Sequence, residues 1–126
     1  MDIKFIELVN KLENNNQNTL KEIEVLGETI LADKDFIKNI KYLRERSLSL
    51  KYKEAEALSY ALEAAAILSI DVEFAKRQND KALELYHPIN NQSSVGYDLA
   101  IFNSVVLSVK ENDLDKALSS FNSLVK

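Results

Sequence analysis

The sequence predicts an all-α protein, and two observations carry that prediction. Only two glycines and one proline interrupt 126 residues, so few positions break a helix. Apolar side chains recur at the three- and four-residue spacing of a helix through most of the chain, whereas no window of six or more residues shows the β-branched alternation of a half-buried strand. We therefore expect helices only.

The first helix and its loop follow from apolar spacing and from the polar residues that end it. Phe5, Leu8, Val9 and Leu12 share one helical face, which predicts an amphipathic helix over residues 2–13. The next five residues are all Asn or Gln, whose side-chain amides compete with helical backbone bonds. This composition predicts a loop before the second helix.

The second and third helices are delimited by capping residues. Thr19 and Glu22 have the spacing of a capping box, which predicts that the second helix begins at Thr19. Asp33 and Asp35 predict a polar turn and an N-cap. The third helix is then expected to run from Phe36 to about residue 50.

The fourth and fifth helices are expected in the middle of the chain. Residues 55–69 are rich in Ala and Leu, which predicts a largely buried helix that packs closely on its neighbours. Asp71 predicts the cap of a fifth helix. That helix is expected to stop near Tyr86, because a proline, here Pro88, disfavours helical conformation in the residue before it.

Two more helices complete the predicted chain. A long loop through Gly96 precedes an apolar helix over about residues 97–109, and Asn112 and Asp113 predict a turn. The last helix begins at Leu114 and is still amphipathic where the sequence stops.

Composition excludes several chemistries. Sixteen basic against twenty acidic residues give a net charge of −4, which does not suit general nucleic-acid binding through bulk charge. The absence of cysteine excludes disulfides, thiolate zinc sites and cysteine nucleophiles. The single histidine leaves no multi-histidine metal site, and two glycines cannot form a glycine-rich phosphate loop. We expect no catalytic site, no metal and no cofactor.

No segment predicts a membrane partner. The longest strictly apolar run, Ala64–Leu68, is far shorter than the roughly 20 residues that span a bilayer. The N-terminal residues lack the uninterrupted apolar region of a secretory signal. We therefore expect a cytoplasmic protein.

A self-comparison of the chain aligns three pairs of predicted helices. Their second helices open with Phe36, Val72 and Leu114, which are 36 and 42 residues apart. Helical pairs that recur at such a spacing are typical of repeat arrays, in which each pair packs on the next. We predict three stacked antiparallel helical hairpins at about residues 19–50, 53–86 and 95–126, with an N-terminal helix and its Asn-rich loop in residues 1–18.

The first hairpin resembles the tetratricopeptide repeat. Ile23, Leu26-Gly27 and Ile30 have the spacing of that family's first helix. In the later hairpins the family's small and aromatic positions are held by Ala75, Ala117 and Phe121, whereas Asn39, Glu63 and Val105 depart from its pattern. The resemblance implies a right-handed superhelix; the departures leave a non-repeat helical bundle as the alternative.

The resemblance also implies a binding surface. In the family, the first helix of each hairpin lines a concave face that holds a peptide, and the Asn103 position often supplies an amide to an extended backbone. The basic clamp that holds a chaperone's terminal carboxylate in some members has no counterpart here. The residues expected to face a partner are Lys21, Glu24, Tyr60, Ala64, Phe102, Asn103 and Val106.

Two motifs suggest other functions. Seven basic residues in the stretch 34–53 suggest a helical bundle that binds nucleic acid or an anionic surface, although acidic residues interrupt them. Glu84 and His87 have the Glu-x-x-His spacing of carboxylate-metal bundle enzymes, which need a second copy that this chain lacks. Both remain alternatives to a protein or peptide partner.

We therefore expect a non-catalytic scaffold for a protein or peptide, or a sensory or regulatory module. The composition, rich in Asn, Lys and Ile, fits a bacterial source. Leu118, Phe121 and Val125 of the last helix still need cover. Either the chain is the N-terminal part of a larger signalling protein, or two copies pair as a homodimer through this helix.

Overall fold

A computed structural model of the protein describes residues 2–89, 94–111 and 114–124. Over these residues the all-α prediction is confirmed, because they form seven helices and no strand. The predicted turn at Asn112 and Asp113, and Val125 of the last helix, lie outside the described residues. The helices are α1 (Ile3–Lys11), α2 (Gln17–Thr29), α3 (Phe36–Leu50), α4 (Lys53–Ile67), α5 (Val72–Ile89), α6 (Tyr97–Lys110) and α7 (Leu114–Leu124).

Two helix starts show how the caps work. The capping box predicted at Thr19 is wrong, because α2 begins at Gln17 and its N-cap is Asn16, whose side-chain oxygen accepts a hydrogen bond from the Thr19 N–H at 3.1 Å. The predicted cap of α5 is confirmed, since Asp71 Oδ1 accepts from the Phe74 N–H at 3.1 Å. The Asn-rich segment thus supplies the N-cap of α2, whereas α1 already ends at Lys11 with Leu12 as its C-cap.

The predicted end of α5 is wrong. The helix continues through Pro88 to Ile89 instead of stopping near Tyr86. The proline ring fixes a φ compatible with a helix, and its missing N–H removes one bond, to the Glu84 carbonyl, in the final turn.

Helices α2, α4 and α6 form one layer, in which α4 contacts both α2 and α6. Helices α3, α5 and α7 each pack against α4 or α6 and, over their described residues, not against one another. The pairs α4–α5 and α6–α7 pack as predicted for hairpins, and α3 and α5 each also contact the helix that follows. This packing between successive helices is consistent with a hairpin arrangement, and it places α4 at the centre.

The first predicted hairpin is formed differently. Although both helices are fully described, α2 and α3 make no direct packing contact with each other, and α1 lies against both. Phe5 and Val9 of α1 are fully buried there. Asn39, which stands where the repeat pattern has alanine, accepts a hydrogen bond from the Asp2 N–H at 3.2 Å, and Arg46 donates to the Leu12 carbonyl at 2.9 Å. Helices α2 and α3 therefore do not form a hairpin by direct contact. Helix α1 packs against both of them and buries its own apolar face there.

Small residues bring the central helices together. Ala75, at the family's small position, is fully buried, and Ala117 is almost so. Two alanine-rich clusters form where α4 meets α5 and α6, and alanine permits close approach of helix backbones. By contrast, Phe121, the aromatic position, is half exposed. The clusters contain Ala57, Ala61, Ala82, Tyr86 and Ala100, and Ala64, Leu68, Ala75 and Leu107.

A buried ion pair joins α3, α4 and α5. Glu63, which stands where the family has glycine, accepts from Arg44 at 2.7 Å and from Gln78 at 2.5 Å. Arg44 also donates to Ser59 at 3.0 Å. These bonds compensate the cost of burying the charges, so this departure from the repeat pattern is stabilised by its own partners.

A short segment before α6 is held by two hydrogen bonds. The Val95 N–H donates to Glu54 Oε2 at 2.6 Å, and the Tyr86 hydroxyl donates to the Val95 carbonyl at 2.6 Å. Gly96 follows with a φ of 89°, in the left-handed region that favours glycine. We call this arrangement the Val95 clasp; it fixes where α6 begins.

The geometry of the Val95 clasp predicts that Gly96→Ala strongly lowers the stability of the protein. The added Cβ would collide with the Tyr86 hydroxyl oxygen, lie 2.8 Å from Leu58 Cδ1 and force a left-handed φ. We expect a loss of about 2–4 kcal/mol in unfolding free energy, measured by urea denaturation. Gly27→Ala is the matched control, because Gly27 is helical and its Cβ would meet side-chain carbons at ordinary to tight distances, Leu62 Cδ1 and Cδ2 at 3.0–3.2 Å and Phe5 Cε2 at 3.6 Å. Equal stability of both variants would contradict the steric account.

Two buried tyrosines predict alkaline instability. Burial, and then the nearby Glu54 carboxylate, raise the pKa of Tyr52 to about 12; burial raises the pKa of Tyr86 well above its usual value. Unfolded tyrosines ionise near pH 10, so the unfolded state loses protons first and stability falls as pH rises from 10 towards 12. Urea denaturation at pH 8 to 11.5 should show this fall, with a shallower slope for Tyr52→Phe. A flat profile to pH 11.5 would disprove the linkage.

Candidate functional site

An apolar groove of about 560 Å³ opens on the layer formed by α2, α4 and α6. Side chains from each of these helices or the turns that follow them line it, and one residue of α7 closes an end. We call this the apolar groove. Its lining residues are Glu28, Leu31, Ala65, Leu68, Asp98, Leu99, Phe102, Asn103, Val106 and Leu124.

Helix α6 contributes the largest share of the apolar groove. Leu99, Phe102 and Val106 follow one another at three- and four-residue spacing, so they share one face of the helix. Phe102 is 55 % exposed, an unusual exposure for so large an apolar side chain beside other apolar residues. Since the Val95 clasp fixes the start of α6, it also sets where this face lies.

A second cavity, of about 300 Å³, continues the groove towards the start of α6 and shares Glu28, Asp98 and Leu99 with it. We call this the acidic section. Lys21, Glu24 and the three residues before α6, Ser94, Val95 and Gly96, complete its lining. Three carboxylates therefore face one ammonium group here.

The charges of the acidic section are unequally compensated. Lys21 Nζ lies 2.6 Å from Glu24 Oε1, and the Glu24 side chain is almost completely buried. That hydrogen bond raises the pKa of Lys21. Burial, and then the charge of Glu24, raise the pKa of Glu28. Neither Glu28 nor Asp98 has a hydrogen-bond or ion-pair partner among the described residues, so both carboxylates remain available.

Of the residues predicted to face a partner, four line this surface with accessible or ion-paired side chains: Lys21, Glu24, Phe102 and Val106. Asn103 also borders the apolar groove, but its side chain is only 2 % exposed. Its Nδ2 donates to the Ala61 carbonyl and to Asn79 Oδ1, each at 3.0 Å. The Asn103 amide, which the resemblance implies would bind a peptide backbone, is thus already engaged in hydrogen bonds within the protein.

The two predicted residues of α4 lie elsewhere. Tyr60 packs between α3 and α5, with the Arg44 guanidinium 4.0 Å from its ring centroid and Lys81 Nζ at 5.4 Å. Ala64 is fully buried. The α4 positions that line the apolar groove are Ala65 and Leu68 instead.

The repeat register also places Glu28 and Leu99 at partner-facing positions. It misses the other five residues that line the apolar groove, which are Leu31, Ala65, Leu68, Asp98 and Leu124. Leu31 and Leu68 lie just beyond the ends of α2 and α4, so a helical pattern does not place them. Because α4 is apolar on nearly all sides, its hydrophobic spacing cannot select the face that meets the groove. Asp98 had a usable signal, since it lies one residue before Leu99 at the start of a helix.

The basic stretch 34–53 is partly used inside the fold. Arg44 pairs with Glu63, and Arg46 donates to the Leu12 carbonyl. Lys53 lies 3.6 Å from Glu56. The remaining lysines of the stretch, Lys34, Lys38, Lys41 and Lys51, are exposed.

Other features of the described residues bear on the alternatives. They contain no group of three or more potential ligands arranged to hold a metal ion, and Glu84 and His87 are both exposed. No helix among them is long and apolar enough to cross a bilayer. On α7, Leu118 is 61 % and Phe121 50 % exposed; pairing of two copies through this helix stays a prediction.

The fold and the site together define an all-α protein with an open groove that is apolar along most of its length and acidic at one end. Comparison of the chain with protein-family models, with curated proteins and with solved structures gives no significant match. The resemblance to tetratricopeptide repeats therefore stays a prediction, and function is argued from the groove itself.

The geometry predicts that Asn103→Ala lowers stability. The change would leave the buried Ala61 carbonyl and Asn79 Oδ1 without this donor, at a cost of about 1–3 kcal/mol in unfolding free energy. The neighbouring change Phe102→Ser removes a half-exposed side chain and should cost less than about 1 kcal/mol. Urea denaturation of both variants measures the difference, and unchanged stability of Asn103→Ala would refute the structural role.

Proposed function

We propose that this chain is a non-catalytic module that binds a protein or peptide in the apolar groove. The supporting observation is the groove of about 560 Å³, with the half-exposed Phe102 at its rim. Contiguous exposed apolar surface rimmed by polar groups is typical of interaction sites. Grooves between helices receive the apolar faces of partner segments.

The chemistry of the lining supports binding over catalysis. Its side chains are apolar apart from the exposed carboxylates of Glu28 and Asp98 and the amide of Asn103, which is engaged in internal hydrogen bonds. Such a surface can bury apolar groups and attract a charge. In this proposal the groove belongs to a tetratricopeptide-like hairpin array, which serves as a cytoplasmic regulatory or sensory module in a bacterial signalling protein.

The basic stretch supports the alternative less well. Arg44 and Arg46, the two side chains best suited to bind phosphate in two-point contacts, are held by internal partners. An anion-binding function would therefore depend on scattered exposed lysines alone. We give a protein or peptide partner precedence.

Selection from a displayed library of random 12-residue peptides tests the proposal. We expect the wild-type chain to enrich a defined set of sequences. Phe102→Ser and Val106→Asp should each weaken binding of an enriched synthetic peptide by about tenfold or more, because they remove apolar contact area or place a charge in it. Fluorescence anisotropy with the labelled peptide measures the affinity.

Leu48→Ser is the matched control for Phe102→Ser. Leu48 is 52 % exposed, close to the exposure of Phe102, but lies on α3 outside the groove. Its variant should keep the affinity of the wild-type chain, and circular dichroism should show all variants helical. No enriched peptide, or equal weakening by Leu48→Ser, would refute the proposed function.

A further inference from the structure

The groove has two chemically different parts that share a boundary. Glu28, Asp98 and Leu99 line both the apolar groove and the acidic section, so the two cavities adjoin. Along α6 the lining residues extend from Asp98, at this boundary, to Val106 in the apolar groove, which corresponds to about 12 Å of helix axis. That length matches about two turns of a partner helix, and it exceeds what one side chain can fill.

The acidic section carries uncompensated negative charge. Lys21 is committed to Glu24 by their 2.6 Å contact, so its ammonium offsets that carboxylate. Glu28 and Asp98 are both exposed and lack such a partner among the described residues. The positive end of the α6 dipole offsets part of the charge of Asp98 in the first turn, and Lys21 offsets part of the charge of Glu28. One ammonium group does not neutralise three carboxylates, however, so the section keeps a negative charge.

The raised pKa of Glu28 is in keeping with this imbalance, because burial and the neighbouring Glu24 both disfavour its ionised form. A cation bound beside Glu28 and Asp98 would offset the repulsion between Glu28 and Glu24. The apolar groove beyond them offers no such charge, since Leu99, Phe102 and Val106 continue it.

We propose that the groove binds a polypeptide segment that has an apolar face and a Lys or Arg side chain at the end lying over Glu28 and Asp98. The inference rests on the proposed function, because it specifies the partner of the same groove. Charge complementarity favours binding of a basic segment over an acidic or neutral one. The apolar face supplies most of the affinity, and the basic side chain sets which way the segment lies.

The composition of peptides selected from the random 12-residue library tests this partner class. We expect peptides enriched on the wild-type chain to carry Lys or Arg at least twice as often as the unselected library. On the double variant Glu28→Gln/Asp98→Asn the basic enrichment should disappear while apolar residues stay enriched. The double variant Glu45→Gln/Glu84→Gln changes the net charge equally at exposed positions outside the groove and should keep the basic preference.

A synthetic peptide from the wild-type selection extends the test. Replacing its basic residue with Gln should weaken binding about 3- to 20-fold at low salt, and the difference should shrink in 0.5 M NaCl. On Glu28→Gln/Asp98→Asn the two peptides should bind equally.

Every other outcome would contradict the inference, and the outcomes show whether the proposed function is contradicted as well. Enriched peptides without a basic preference, or with one that Glu28→Gln/Asp98→Asn retains, would refute the basic partner and leave groove binding intact. A selection that enriches nothing would refute the proposed function as well. A dimer by light scattering that Phe102→Ser converts to a monomer would show that a second copy of this chain occupies the groove.

Discussion

The Val95 clasp is the constraint on which the candidate site depends. Its two hydrogen bonds satisfy both backbone groups of one residue, one from the start of α4 through Glu54 and one from the end of α5 through Tyr86. Glu54 is also hydrogen-bonded by Gln17 of α2 at 3.2 Å. Three helices thus hold the segment that leads into α6. Because a buried, unpaired carbonyl or N–H is costly, α6 cannot shift along α4 without losing these bonds.

Hydrogen bonds between polar groups fix the relative positions of the central helices, which alanine packing alone does not specify. Alanine-rich helices approach closely, but small side chains interlock weakly and permit sliding. Asn79 and Asn103 bond to each other at 3.0 Å, and Asn79 also donates to the Ala100 carbonyl at 3.0 Å. These bonds join α5 to α6, as the Asn103–Ala61 bond joins α6 to α4. The register of the central helices is therefore set by amides, and apolar burial supplies the cohesion.

The sequence predicted the positions of the helices better than it predicted which helices pack against each other. Apolar spacing placed α3 at Phe36–Leu50, and the cap at Asp71 was predicted correctly, because these signals lie within a few residues. The insertion of α1 between α2 and α3 has no local signal, since it depends on which distant surface an amphipathic helix covers. The same reason applies to the site: on α6, Phe102 and Val106, two of the residues predicted to face a partner, line the apolar groove. On α4, apolar nearly all round, the repeat register chose Tyr60, which packs against Arg44 instead.

The acidic and apolar parts of the groove differ in the energetic cost of receiving a ligand. Glu28 and Asp98 are exposed, so each keeps most of its hydration until a cation arrives, and a rim pair of this kind contributes only modestly to affinity. The buried Glu24 would pay a larger desolvation cost, and Lys21 already compensates it. Apolar surface around Phe102 has no such opposing cost, because removing it from water is favourable at any orientation. In the proposed complex, binding strength would therefore reside in the apolar groove, whereas the two carboxylates would confer direction and selectivity on the bound segment.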